Sequence, residues 1–138
     1  MATLSQTVAK GVRVYEAEVT LPTTGTAVAV EAISIPANCL VLSAGVVITE
    51  ACAGSTAHVA DLSIGSADIV TAINLQTGAV GAIITEAAVP QGTTAADTID
   101  VVSTVTGTGT AGKVRVFALV VDMTAPRTAD EVDRDTLA

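Results

Sequence analysis

Aromatic side chains are almost absent from this chain of 138 residues: it has no Trp, one Tyr (Tyr15) and one Phe (Phe117). Its core must therefore be packed from Val, Ala, Ile and Leu. Cations are also scarce, with six Lys and Arg against 14 Asp and Glu, for a formal net charge of −8. A reader of duplex DNA or of RNA needs a basic face and stacking rings, so no nucleic-acid partner is expected. Long apolar runs are missing too. The richest stretch, residues 39–48, is broken by Ser43 and Gly45 and falls short of the ~18 residues of a membrane span. The start, Met-Ala-Thr-Leu-Ser-Gln-Thr-Val-Ala-Lys-Gly, has no basic region followed by an apolar run and a cleavage site, so cytoplasmic synthesis is expected.

Histidine occurs once, at His58, and no Cys-x-x-Cys or His-Glu-x-x-His spacing occurs. A His-rich metal site is thereby excluded, and no metal or cofactor is expected. A single His on a strand reads as a surface or edge residue. Cys39 and Cys52 are the two cysteines. They flank a segment that reads as extended, which would hold them ~40 Å apart and beyond disulfide reach unless the chain folds back at Gly45. Two free thiols filling apolar space are expected.

What the chain does have is β-forming composition. Half of it is hydrophobic, Val and Thr occur 21 times each, and 11 Gly and four Pro fall mostly between the apolar runs. Alternation predicts strands over residues 12–21, 27–35, 40–51, 57–64, 80–86, 98–106 and 113–122. In the third of these Leu40, Leu42, Ala44, Val46 and Ile48 share one face, with Gly45 permitting a bend or bulge. Residues 113–122 are apolar on both faces, which predicts a central strand. One short helix is expected after Asp68, with Ile69, Ala72 and Ile73 on one face and Gly78 past its end. The sum is an all-β domain of seven or eight strands, a two-sheet antiparallel sandwich with at most one short helix. It covers residues 12–123, between an arm (1–11) and an acidic tail (124–138) that lacks strand periodicity.

Several motifs invite chemistry and fail its requirements. Gly107-Thr108-Gly109-Thr110-Ala111-Gly112-Lys113 fits both G-x-G-x-x-G and most of a P-loop. Both motifs need a following helix, and the P-loop needs Ser or Thr after the Lys, where this chain has Val114 and a strand. A hairpin connection is the expected role. Asp61, Asp68, Asp97 and Asp100 fit no calcium-loop spacing, so turn and cap duties are expected of them. Glu16 and Glu18 share a strand face, but a glycosidase cleft is usually lined with aromatics this chain does not have. Nothing recommends a nucleophile paired with His58, and the chain is not expected to be an enzyme.

The order of segments Ile33-Ser34-Ile35-Pro36-Ala37, residues 40–51, residues 57–65, Asp97-Thr98-Ile99-Asp100-Val101-Val102 and residues 112–122 resembles capsid cement (decoration) proteins of tailed bacteriophages. The resemblance covers roughly residues 12–124. It implies a jelly-roll sandwich, a homodimer or homotrimer, sitting on the outside of the virion and bridging neighbouring major capsid proteins. Synthesis would then be in the host cytoplasm. It carries over no catalytic residue and no contact motif. Terminal extensions often order over a partner, so Thr3 and Lys10 of the arm and Pro126, Arg127, Asp130, Glu131, Asp133, Arg134 and Asp135 of the tail are the expected capsid or subunit contacts. The competing expectations are another virion component, such as a head fibre, tail or spike part recognising host surface or glycan, and a β-sandwich enzyme.

Overall fold

Alternating β-branched residues with Gly, Pro and Asn between them give nine strands in the computed structural model, which describes residues 11–85 and 89–123. They are β1 (Val12–Thr20), β2 (Gly25–Ile35), β3 (Cys39–Ala53), β4 (Ala57–Ile64), β5 (Ala67–Asn74), β6 (Ile83–Ile84), β7 (Gln91–Thr93), β8 (Asp97–Thr106) and β9 (Ala111–Asp122). One sheet runs β1-β9-β3-β6, with β7 also beside β3, and the other runs β2-β8-β4-β5. All pairings are antiparallel. With the three-residue β7 set aside, successive strands alternate between the sheets except at the β4–β5 hairpin. That is the strand order of a jelly roll.

The inner faces of both sheets supply the core. Val41, Ile48, Val114 and Val116 from the β1 sheet meet Leu62, Ile99, Val101 and Ile73 from the other, all fully buried. β9 is central, paired to β1 on one side and β3 on the other. Both cysteines are free and buried.

Five expectations need correction. The segment after Asp68 is strand β5, not a helix. A spacing of four residues from Ile69 to Ile73 suits a helix face but is also an even number, and the β4 pairing shows how the strand absorbs the rest. Leu62 faces Val70 and Ala60 faces Ile73, so that Thr71 and Ala72 together lie opposite Asp61. The extra residue sits at a bulge where Ala72 takes φ 58 and its N–H donates to Asp61 Oδ1 at 2.7 Å. Second, Leu40 and Leu42 do not share a face with Ala44. The β3–β9 register slips between Val41 and Ser43, which reverses the alternation, so Val41 is buried and Leu40 faces outward.

Third, β3 runs straight through Gly45, whose job is close approach: a Cβ there would lie 2.6 Å from Phe117 Cζ and 2.8 Å from the Ile84 carbonyl oxygen. Fourth, of the strand expected over 80–86 the described residues, up to 85, form only β6, and β7 forms where no strand was expected; Thr93 anchors it, its Oγ1 donating to the Pro36 carbonyl and accepting from Cys39 N–H. Fifth, the Gly/Thr segment after β8 is a crossover between sheets and not a hairpin, since β8 and β9 lie in different layers.

Candidate interaction surface

The register of the β1 sheet sorts its residues into two faces. Rows of residues paired across β1, β9 and β3 read, on the outside, Val12/Val121/Leu40, Val14/Leu119/Ser43, Glu16/Phe117/Gly45, Glu18/Arg115/Val47 and, at the far end, Thr20/Lys113/Glu50. The outer face is thus divided. One end is aliphatic and the other carries two ion pairs, Arg115 to Glu16 at 3.7 Å and Lys113 to Glu50 at 3.8 Å. Both pairs are solvated and contribute little beyond keeping that end polar.

Val12 and Val14 are 54% and 67% exposed, and Met123, which follows β9 at the same end, is 60% exposed. Three strands at ~4.8 Å spacing over five residues make an aliphatic patch of about 250 Å², interrupted at Ser43. Beside it, Leu40 and Met123 join Asn38, Gly92, Thr93 and Thr94 in lining an open groove of about 390 Å³.

The opposite sheet is of another character. Its strands contain Glu31, Asp61, Asp68, Asp97 and Asp100 and no Lys or Arg. All three cations among the described residues, Arg13, Lys113 and Arg115, belong to β1 and β9. The molecule therefore has one acidic, hydroxyl-rich face and one face that is half aliphatic.

The expected contact residues Thr3, Lys10, Pro126, Arg127, Asp130, Glu131, Asp133, Arg134 and Asp135 lie outside the described residues. The places where their segments attach are together: Val12 pairs with Val121, and Met123 N–H donates to the Asn38 carbonyl at 2.8 Å. Arm and tail thus join the sandwich at the aliphatic end of the outer face.

The other candidates resolve into structural duties. Among the described residues no group of three or more His, Cys, Asp or Glu is placed to hold a metal. Asp61 caps the β5 bulge, Asp97 Oδ1 accepts from Thr98 N–H and Asp100 Oδ1 accepts from the Thr98 hydroxyl. In the Gly/Thr crossover the N–H groups of Gly109 and Thr110 are spent on the carbonyls of Thr23 and Ala53. No helix follows them, so the phosphate cradle has neither free amides there nor a dipole. No helix of the described residues is long and apolar enough to cross a membrane.

His58 is not the surface residue its isolation predicted. It faces inward on β4, 2% exposed, with Nε2 lacking a partner, and burial lowers its pKa below the ordinary value. Its diagonal neighbour across the β4–β8 pairing is Ser103, fully buried, whose Oγ also lacks a partner. These two side chains are sealed inside the sandwich, where they set a stability cost.

The patch itself was missed by sequence reasoning, although its signal was there. Residues 113–122 are apolar on both faces, yet a central strand in a two-layer sandwich still turns one face outward, and only the register shows that Leu119 and Val121 line up there with Val12, Val14 and Leu40.

No family model and no curated protein matches the chain. Among solved structures it is similar to a chain described as "Cyanophage Pam1 capsid asymmetric unit", at 19% identity, covering 88% of this chain and 91% of that one, with a TM-score of 0.56. At that identity the likeness shows a shared fold across nearly the whole of both chains.

Proposed function

We propose that the protein is a structural component of a tailed-phage virion, a homo-oligomeric cement protein that seats on the outside of the head and bridges neighbouring major capsid proteins. The observation that carries the reading is the division of surfaces: a sandwich sharing the fold of a phage capsid chain keeps one end of one outer face aliphatic and the opposite face acidic. Contact with the shell runs through the aliphatic end of the β1 sheet, helped by the arm and tail that attach there. The acidic sheet faces solvent. On an expanded shell many such small contacts act together, so a modest patch per copy suffices. The cores of such interfaces lose charged residues, as this end of the face has.

The reading needs no catalysis or cofactor. Its test is co-sedimentation of the purified protein with expanded, undecorated capsids assembled from the major capsid protein encoded beside it. Saturable pelleting at a fixed ratio to the major capsid protein supports it. A protein that stays in the supernatant at every concentration, while retaining its strand circular dichroism, refutes it.

A further inference from the structure

Sheet edges with unpaired N–H and C=O groups recruit other strands unless they are blunted. Three of the four edges here are blunted. Strand β2 carries two register shifts and positive φ at Gly25 and Ala27. Strand β5 carries two shifts and positive φ at Ala72. The fourth side of the β1 sheet ends in β6 and β7, of two and three residues. Among the described residues strand β1 alone offers a regular edge: nine residues in unbroken register with β9, with two exposed valines, Val12 and Val14, on its outer face.

We infer that this edge pairs with the same edge of a second copy, antiparallel about a two-fold axis at Val14. The register follows from which side chains would be set opposite one another. Antiparallel neighbours share a face, so only registers that match even positions to even and odd to odd are available. Centring the axis on Arg13 sets Arg13 against its own copy. Centring it on Glu16 sets Glu16 against its own copy, and on Ala17 sets Glu16 against Glu18; like charges directly opposite destabilise. Centring it on Tyr15 places Val12 and Val14 against Glu18 and Glu16.

At Val14 that valine meets its own copy and only Val12 faces a glutamate, Glu16, half the valine–glutamate oppositions of the Tyr15 register, while Arg13 lies opposite Tyr15 of the second copy, a cation over an aromatic ring. The axis stands perpendicular to the sheet, so the two aliphatic patches become neighbours on one side of a continuous ten-stranded sheet. The overlap is five residues, well below the ~800 Å² per partner of a standard interface, so the dimer is a concentration-dependent one. It needs no capsid, and its test is independent of the capsid reading.

The test uses the full chain. Oxidised under mild conditions, V14C is expected to form a disulfide-linked dimer on a non-reducing gel, because opposed residues lie ~4.5–5.5 Å apart at Cα, within disulfide range. V12C is expected to stay monomeric, since Val12 would face Glu16 and sit ~14 Å along the strand from its own copy. The V12C/E16C double variant is expected to cross-link, and E31C on the blunted β2 edge is not. Sedimentation of the wild type is expected to show a mass rising from monomer toward dimer with concentration, and V14R, if folded by circular dichroism, to remain monomeric over that range. Cross-linking of V14C no stronger than E31C, cross-linking of V12C in its place, or a wild type that is monomeric at every concentration or forms a stable trimer would each overturn the inference.

Discussion

Lowering the pH from 8 toward 5.5 should destabilise the sandwich through His58. In the unfolded chain the imidazole takes up a proton near pH 6.5. In the folded chain it is 2% exposed with an unpartnered Nε2, and burial shifts its pKa downward. The unfolded state thus binds more protons than the native state below pH 6.5. Stability is fully present above that value and falls as the pH drops toward the folded pKa, with a limiting slope of about 1.4 kcal/mol per pH unit for one proton. Comparison with a variant that lacks the imidazole isolates the contribution of the histidine within the window between about 6.5 and 5.5.

Urea unfolding at several pH values reads this directly as a falling midpoint at constant slope. In His58→Leu, which keeps similar volume and removes both ring nitrogens, the midpoint should be nearly level across the same window. The backbone bond from Leu75 N–H to the His58 carbonyl, 2.9 Å long, does not depend on the side chain and should survive. A wild type whose stability is flat from pH 7 to 5.5, or a leucine variant with the same slope, would refute the reasoning.

Three further perturbations follow from the packing. Ser103→Ala removes a fully buried hydroxyl with no partner and should raise stability by about 1 kcal/mol, seen as a higher urea midpoint. Gly45→Ala sets a methyl against Phe117, Thr85 and the Ile84 carbonyl; it should cost about 1–3 kcal/mol, and full wild-type stability would mean β6 does not press on β3 as described. Removing residues 124–138 should leave the thermal transition of the domain in place while weakening capsid pelleting, whereas unchanged pelleting would take the tail out of the contact.

How far the sequence could be read depended on whether each feature was local. Strands β1, β2, β4, β8 and β9 were legible because their alternation follows from side-chain period alone, and the apolar residues on both faces of β9 correctly marked a central strand. The bulges at Leu42 and Ala72 were not, because a single added residue inverts the burial pattern without changing composition; one turned Leu40 outward and the other disguised β5 as a helix. The Gly/Thr crossover looked like a hairpin because sequence does not say that β8 and β9 lie in different layers. His58 was misplaced for a similar reason: inward or outward on β4 is decided by the register of β8 beside it. The aliphatic patch is the same case at the level of a site, assembled from three strands that are far apart along the chain.

The most direct test of the account is a reconstruction by electron cryomicroscopy of expanded phage heads saturated with the protein. A sandwich is expected on the outside of the shell between neighbouring major capsid proteins, with Val12, Val14, Leu119 and Val121 turned toward the shell and the acidic β2-β8-β4-β5 sheet toward solvent. Density in which the acidic sheet meets the shell, or heads that carry no added density at all, would contradict it.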